Sequence, residues 1–229
     1  MDGLNRIWSN EEQVKLFSDA DLMTSVERLE EEVKEVCMVK GSIGTEVLNF
    51  SGVASLAIES LITSCTSFDQ SLAIVNNSSR GTFIKEIAAI NKVHFAELYS
   101  AEYQIPEIKD LERFLAANKN IRYIVLPLIS LNGLEKKLLQ FSDVLSEYNI
   151  GLLVDYYGKL EGLKIKLLKY NILCISITPS DYKFGPVSSS VLVAQRRFLV
   201  SCEGNARTYS LDLYASWQKK MWNNNNMVV

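Results

Sequence analysis

Apolar residues in this chain fall into short unbroken runs, and between the runs they recur at every third or fourth position. Gly151-Leu152-Leu153-Val154, closing on Asp155, is one such run. Ile172 to Ile177, closing on Thr178-Pro179-Ser180-Asp181-Tyr182-Lys183-Phe184-Gly185, is another, and the amphipathic stretch Leu163 to Tyr170 separates the two. Continuous apolar runs of this length predict strands buried on both faces. Thr45 to Asn49, Ser71 to Val75, His94 to Tyr99 and Ile121 to Leu126 read as further strands. The intervening segments carry a helical period. Val26, Leu29, Val33 and Val36 mark one face of a helix over Asp21 to Val36, with Glu30 to Glu32 on an outer face expected to be solvated. Helices are likewise predicted over Gly52 to Thr63, Gly81 to Asn91, Glu107 to Ala117 and Leu134 to Tyr148. Alternating strands and helices predict an α/β fold of three layers, αβα, around a largely parallel sheet.

Ligands in such sheets bind at the carboxyl ends of the strands. Asp155, followed by Tyr156 and Tyr157, and the Thr178 to Gly185 segment both occupy such ends. An acid at one strand end and a lysine at the next are what pyridoxal phosphate chemistry requires. The carboxylate keeps the pyridine nitrogen protonated, and the lysine holds the aldehyde as a Schiff base. A second candidate is the Ser51-Gly52 turn, with Val53, at the start of a predicted helix. Unpaired amides and the positive end of the helix dipole favour a phosphate there, while N-capping by Ser51 alone is the structural alternative.

Composition narrows the function classes. A chain of 229 residues, 48% of them hydrophobic, suffices for a sizeable core in one domain. The net charge of −3 provides no broad cationic field, which argues against nucleic acid. Cys37, Cys65, Cys174 and Cys202 lack CxxC spacing and are expected to be buried free thiols, with no metal site. The single histidine, His94, makes a Ser-His-Asp triad improbable. No signal peptide and no apolar stretch near ~18 residues is evident, so a cytoplasmic location without membrane contact is expected.

At this point the chain resembles the class V, fold-type I aminotransferases, most closely the 2-aminoethylphosphonate–pyruvate transaminases. Val154-Asp155 followed by Gly162 is similar to the family's Val-Asp-Ala-Met-Ser-Ser-Phe-Gly-Gly stretch. Leu48-Asn49-Phe50-Ser51-Gly52-Val53-Ala54 sits where the family has a phosphate-binding Gly-Ser-Gly loop, and Ile74-Val75-Asn76-Asn77-Ser78-Ser79-Arg80-Gly81 where it has Asn-Gly-Ala-Tyr-Gly. The most specific match is Cys202-Glu203-Gly204-Asn205-Ala206-Arg207-Thr208-Tyr209-Ser210-Leu211-Asp212-Leu213-Tyr214 with Trp217, against Cys-x-Gly-x-Ser-Arg-Ser-x-Ser-Leu-Asp-Leu-Tyr-x-x-Trp. The resemblance covers roughly residues 20 to 222 and implies a pyridoxal phosphate transferase-like large domain over 1–222. It implies a cofactor site at Ser51, Gly52, Val53, Arg80 and Asp155, and dimers with their active sites at the subunit interface. The small C-terminal domain of the family is expected to be absent, and 223–229 to be a disordered tail.

Departures from the family pattern fall on its chemistry. Ungapped alignment puts Asp181 at the Schiff-base position, with Lys183 two residues away. Arg80 stands where an aromatic ring stacks on the cofactor. The family's His-x-Glu-Thr-Thr-Thr-Gly loop corresponds to the largely apolar Pro127-Leu128-Ile129-Ser130-Leu131-Asn132-Gly133, and Val53 replaces a hydroxyl residue. These departures predict a degenerate, non-catalytic relative that acts as a scaffold, in a homodimer or hetero-oligomer. Two alternatives stand beside it: an active transaminase of an aminophosphonate or amino acid using Lys183, and a non-covalent phosphate-binding module. Asp155 and Asp181 near one empty pocket would repel each other, and pairing around water, a cation or an arginine such as Arg80 would relieve this.

Overall fold

The computed structural model describes residues 19–51, 53–160, 163–179 and 189–226. Seven strands form one sheet in the order β1-β7-β6-β5-β4-β2-β3: β1 (Thr45–Ser51), β2 (Ser71–Asn76), β3 (Phe95–Tyr99), β4 (Ile121–Leu128), β5 (Gly151–Gly158), β6 (Ile172–Pro179) and β7 (Ser189–Gln195). β2 through β6 are mutually parallel, and β7 runs against both β6 and β1. The largely parallel sheet read from the apolar runs is therefore present. Residues 72–75 and 123–128 are buried without a break, as strands covered on both faces must be.

Alternate residues of each strand feed two cores. On one face, α1 (Asp19–Val36), α4 (Ile108–Ala117) and α5 (Glu135–Glu147) contribute Val33, Leu111 and Phe141 to a core shared with Val75, Leu126, Val154 and Ile175. Leu29 of α1 and Cys37, just beyond its end, join the same core. On the other face, α2 (Leu56–Ser64), α3 (Ser79–Ile90), α6 (Arg196–Ser201) and α7 (Leu213–Asn226) cover Ile74, Val125, Leu153 and Leu192. The three-layer αβα arrangement follows directly.

Several elements differ from the sequence-based expectation. The helix expected from Gly52 begins only at Leu56, because the chain spends residues 53–55 on a turn closed by the Leu56 amide donating to the Val53 carbonyl at 3.1 Å. The amphipathic stretch Leu163 to Tyr170 begins extended and ends in a turn over 167–170. Leu163, Ile165 and Leu167 are buried while Lys164 and Lys166 are exposed, a period of two rather than 3.6. Its extended first half runs along the end of α1, with the Ile165 amide donating to the Val36 carbonyl at 3.0 Å. Glu30 is not on a solvated face: it accepts from Asn49 Nδ2 at 2.5 Å and from Lys220 Nζ at 2.6 Å. Asn223 to Asn226, expected to be frayed, form the last turn of α7, and 227–229 lie outside the described residues. All four cysteines are buried and unpaired. His94 is exposed and precedes β3. Among the described residues no helix is long and apolar enough to cross a membrane.

The Cys202 to Trp217 run is a latch between α7 and α2. Ser60 and Ser64 both donate to the Leu211 carbonyl, at 2.9 and 3.1 Å, and the Leu213 amide donates to Ser64 Oγ at 3.2 Å. Asp212 caps α7 by accepting from the Ala215 amide at 3.0 Å. The Arg207 guanidinium lies 3.8 Å from the Phe68 ring centroid and donates to the Asn205 and Ser67 carbonyls. The most specific sequence motif of the chain therefore serves its scaffold.

Candidate functional site

A group of buried polar residues lies at the carboxyl end of the sheet, on the α2 and α3 face. Asp155 on β5 is fully buried there, and its register partners are Pro127 on β4 and Ser176 on β6. Ser176, Thr178 and Ser190 continue this polar patch across β6 and β7. A buried carboxylate without a counter-charge is costly, so its partner decides the chemistry of the site.

That partner is Arg80, the second residue of α3. Its Nε donates to Asp155 Oδ2 at 2.5 Å and its Nη2 to Oδ1 at 3.2 Å, a two-point pairing with both carboxylate oxygens. Nη2 also lies 3.5 Å from the Thr178 hydroxyl, which donates to the Ala54 carbonyl at 3.1 Å. The guanidinium is 4.9 Å from the Phe83 ring centroid and 5.1 Å from that of Tyr157, within cation–π range of both.

Local sequence explains how Arg80 reaches β5 from the far side of β4. The turn after β2 is fixed by Asn77, whose Nδ2 donates to the Gln104 and Pro127 carbonyls at 2.9 and 3.3 Å. Gly81 then lets α3 start hard against β2. A Cβ at that position would come within 2.7 Å of the Val75 carbonyl oxygen. Close approach of the helix start carries the Arg80 side chain over β4 to Asp155.

The phosphate candidate is differently placed. Ser51 ends β1 opposite Ser189, Gly52 lies outside the described residues, and Val53 is 65% exposed. The amide of Ala57, in the first turn of α2, is already given to Ser190 Oγ at 3.1 Å. Asp181 and Lys183 lie outside the described residues. Sequence reasoning named Asp155, Arg80 and Tyr157 but missed Phe83, Ser176 and Ser190. The signal for Ser176 and Thr178 was two hydroxyls at alternate positions inside an apolar run. Ser176 Oγ is buried and has no hydrogen-bond partner among the described residues.

These residues do not fit pyridoxal phosphate as they stand. A pyridinium nitrogen would bring a second positive charge to Asp155, whose two oxygens already accept from Arg80 while the planar guanidinium lies beside the two rings.

No family model matches the chain. It is 25% identical over 181 residues to the bifunctional phosphonoacetaldehyde hydrolase/aminoethylphosphonate transaminase of Clostridioides difficile, covering 79% of this chain and 28% of that protein. It is 27% identical over 168 residues to a 2-aminoethylphosphonate–pyruvate transaminase of Aeromonas hydrophila, covering 73% of this chain and 44% of that one. The chain thus spans less than half the length of these two relatives. Among solved structures it is similar to the ureidoglycine–glyoxylate aminotransferase of Bacillus subtilis, with TM-score 0.70 and 13% identity over 89% of this chain and 52% of that one. It is also similar to an alanine–glyoxylate aminotransferase from Nostoc sp., with TM-score 0.68 and 15% identity over 88% of this chain and 54% of that one. The resemblance to class V, fold-type I aminotransferases is borne out, and the fold is theirs.

Proposed function

We propose that this aminotransferase-related chain is non-catalytic and works through association with a second copy or another subunit. The observation that carries this reading is the Arg80–Asp155 pair: the fully buried acid at the carboxyl end of the sheet is neutralised by a side chain of the same molecule. Such an acid already carries its counter-charge, and a pyridinium would have to share both the carboxylate and its surroundings with the Arg80 guanidinium. Replacement of the Schiff-base lysine by Asp181 in the aligned sequence points the same way. Association is supported by apolar residues left exposed at and beyond the ends of β3 and β4: Tyr99 at 67%, Tyr103 at 43% and Ile129 at 42%.

Titration of the purified chain with pyridoxal phosphate, followed by borohydride reduction and peptide mass spectrometry, tests the non-catalytic reading. The expected result is no saturable visible absorption band and no adduct specific to one lysine. Stoichiometric labelling of Lys183 would replace this reading with that of an active transaminase. Calorimetry with inorganic phosphate is expected to show no binding at the start of α2, where the Ala57 amide is already engaged.

A further inference from the structure

We propose that Arg80 is a built-in ligand, and that the pocket it fills is a receptor for a planar cation bearing N–H groups. This rests on the non-catalytic reading above and adds to it what the pocket recognises. The Asp155 carboxylate forms the floor, fully buried, and offers two oxygens in one plane. The Phe83 and Tyr157 rings lie against the charge at 4.9 and 5.1 Å. A flat, delocalised cation satisfies both at once: its N–H groups meet the carboxylate, and its weakly hydrated charge lies against the rings. An ammonium group is a compact, strongly hydrated charge and makes only the first of these contacts well.

Arg80 enters from α3 and its side chain is only 15% exposed, so the pocket is closed by the chain that built it. While Arg80 is present, a ligand of the same chemistry would have to displace a charge-assisted two-point pair whose formation is intramolecular. Removing the side chain beyond its Cβ empties the pocket and leaves the floor and both rings in place. The recognition chemistry is then available to a small molecule from solution.

Thermal unfolding of the unaltered chain, Arg80→Ala and the double variant Arg80→Ala/Asp155→Asn tests the proposal, with methylguanidinium and methylammonium chloride at equal millimolar concentration. Arg80→Ala is expected to melt several degrees lower. Methylguanidinium is expected to restore at least half of that loss, methylammonium much less, and neither salt to protect the unaltered chain or the double variant. Equal effects of the two salts on Arg80→Ala, or no effect of either, overturn the proposal. Should Arg80→Ala not fold, equilibrium dialysis of the unaltered chain with pyridoxamine 5′-phosphate, which carries a planar pyridinium and no aldehyde, decides. No binding is expected, and one molecule bound per chain overturns the closed pocket. A lysine adduct with pyridoxal phosphate sinks the non-catalytic reading, whereas failed methylguanidinium rescue in a chain that remains unlabelled sinks only the built-in ligand.

Discussion

Asp155 is buried in the sheet, while Arg80 approaches from its rim, so the two partners of the pair are not equivalent. Removing the guanidinium strands a fully buried carboxylate without its counter-charge. Arg80→Leu is expected to lower unfolding free energy by about 3–5 kcal/mol in urea titrations, the range for breaking a buried pair. The double variant Arg80→Leu/Asp155→Leu is expected to lose less than the sum of the single variants, because neither charge is then left alone. Burial also governs the thiols. It pushes Cys37 and Cys65 up to about 12 and Cys174 and Cys202 well above the usual thiol range. Since the thiolate is the reactive form, none of the four is expected to react with a disulfide reagent at about pH 8 until denaturant is added. Rapid labelling of any one in the native chain would show that its surroundings are open.

Polar contacts at their ends fasten several elements that pack along their lengths into the two cores. α2 and α7 are latched through Ser64, and Ser64→Ala would leave the buried Leu213 amide without its acceptor. A loss of about 1–3 kcal/mol is expected by urea unfolding. The edge strand β3 is tied to the turn that launches Arg80 by Glu97, which accepts from Asn76 Nδ2 at 3.0 Å and pairs with Lys85 at 3.4 Å. The Asn76 hydrogen bond, helped by Lys85, holds the Glu97 carboxyl below its usual range despite some desolvation. A depressed folded-state pKa stabilises the fold above the unfolded value, about 4.3 for glutamate, and that contribution disappears as pH falls through the folded one. Glu97→Gln is therefore expected to lower the melting temperature at about pH 7, with the difference from the unaltered chain narrowing below about pH 4.

For the molecule as a whole, the two ends of the sheet are unlike. At the β1 edge, Lys220 from α7 crosses the strand, donating to the Val47 carbonyl at 2.7 Å and to Glu30 of α1 at 2.6 Å. This bridge covers an edge that would otherwise offer unpaired backbone groups. The exposed apolar residues Tyr99, Tyr103 and Ile129 instead follow β3 and β4, toward the opposite end of the sheet. If association uses that end, sedimentation should show a dimer for the unaltered chain and a shift toward monomer for Ile129→Glu. A monomer at all concentrations would remove the support for association.

The order of strands and helices was legible in the sequence because hydrophobic periodicity is local: six of the seven strands and five helices announce themselves within a few residues of chain. β7 was not, and its place between β6 and β1 depends on a pairing with β1, a strand from the opposite end of the chain. Leu163 to Tyr170 could be read only as amphipathic, as a short apolar pattern cannot tell helix from extended chain until its neighbours are in place. Asp155 could be named from its strand-end position, and Arg80 from the family resemblance, which made it one candidate for the charge beside the acid. That they neutralise one another, 75 residues apart, was decided only by the tertiary structure. A strand-end acid and a helix-start arginine meet because Gly81 lets α3 close on β2, and no local pattern encodes the distance between two side chains brought together by a sheet.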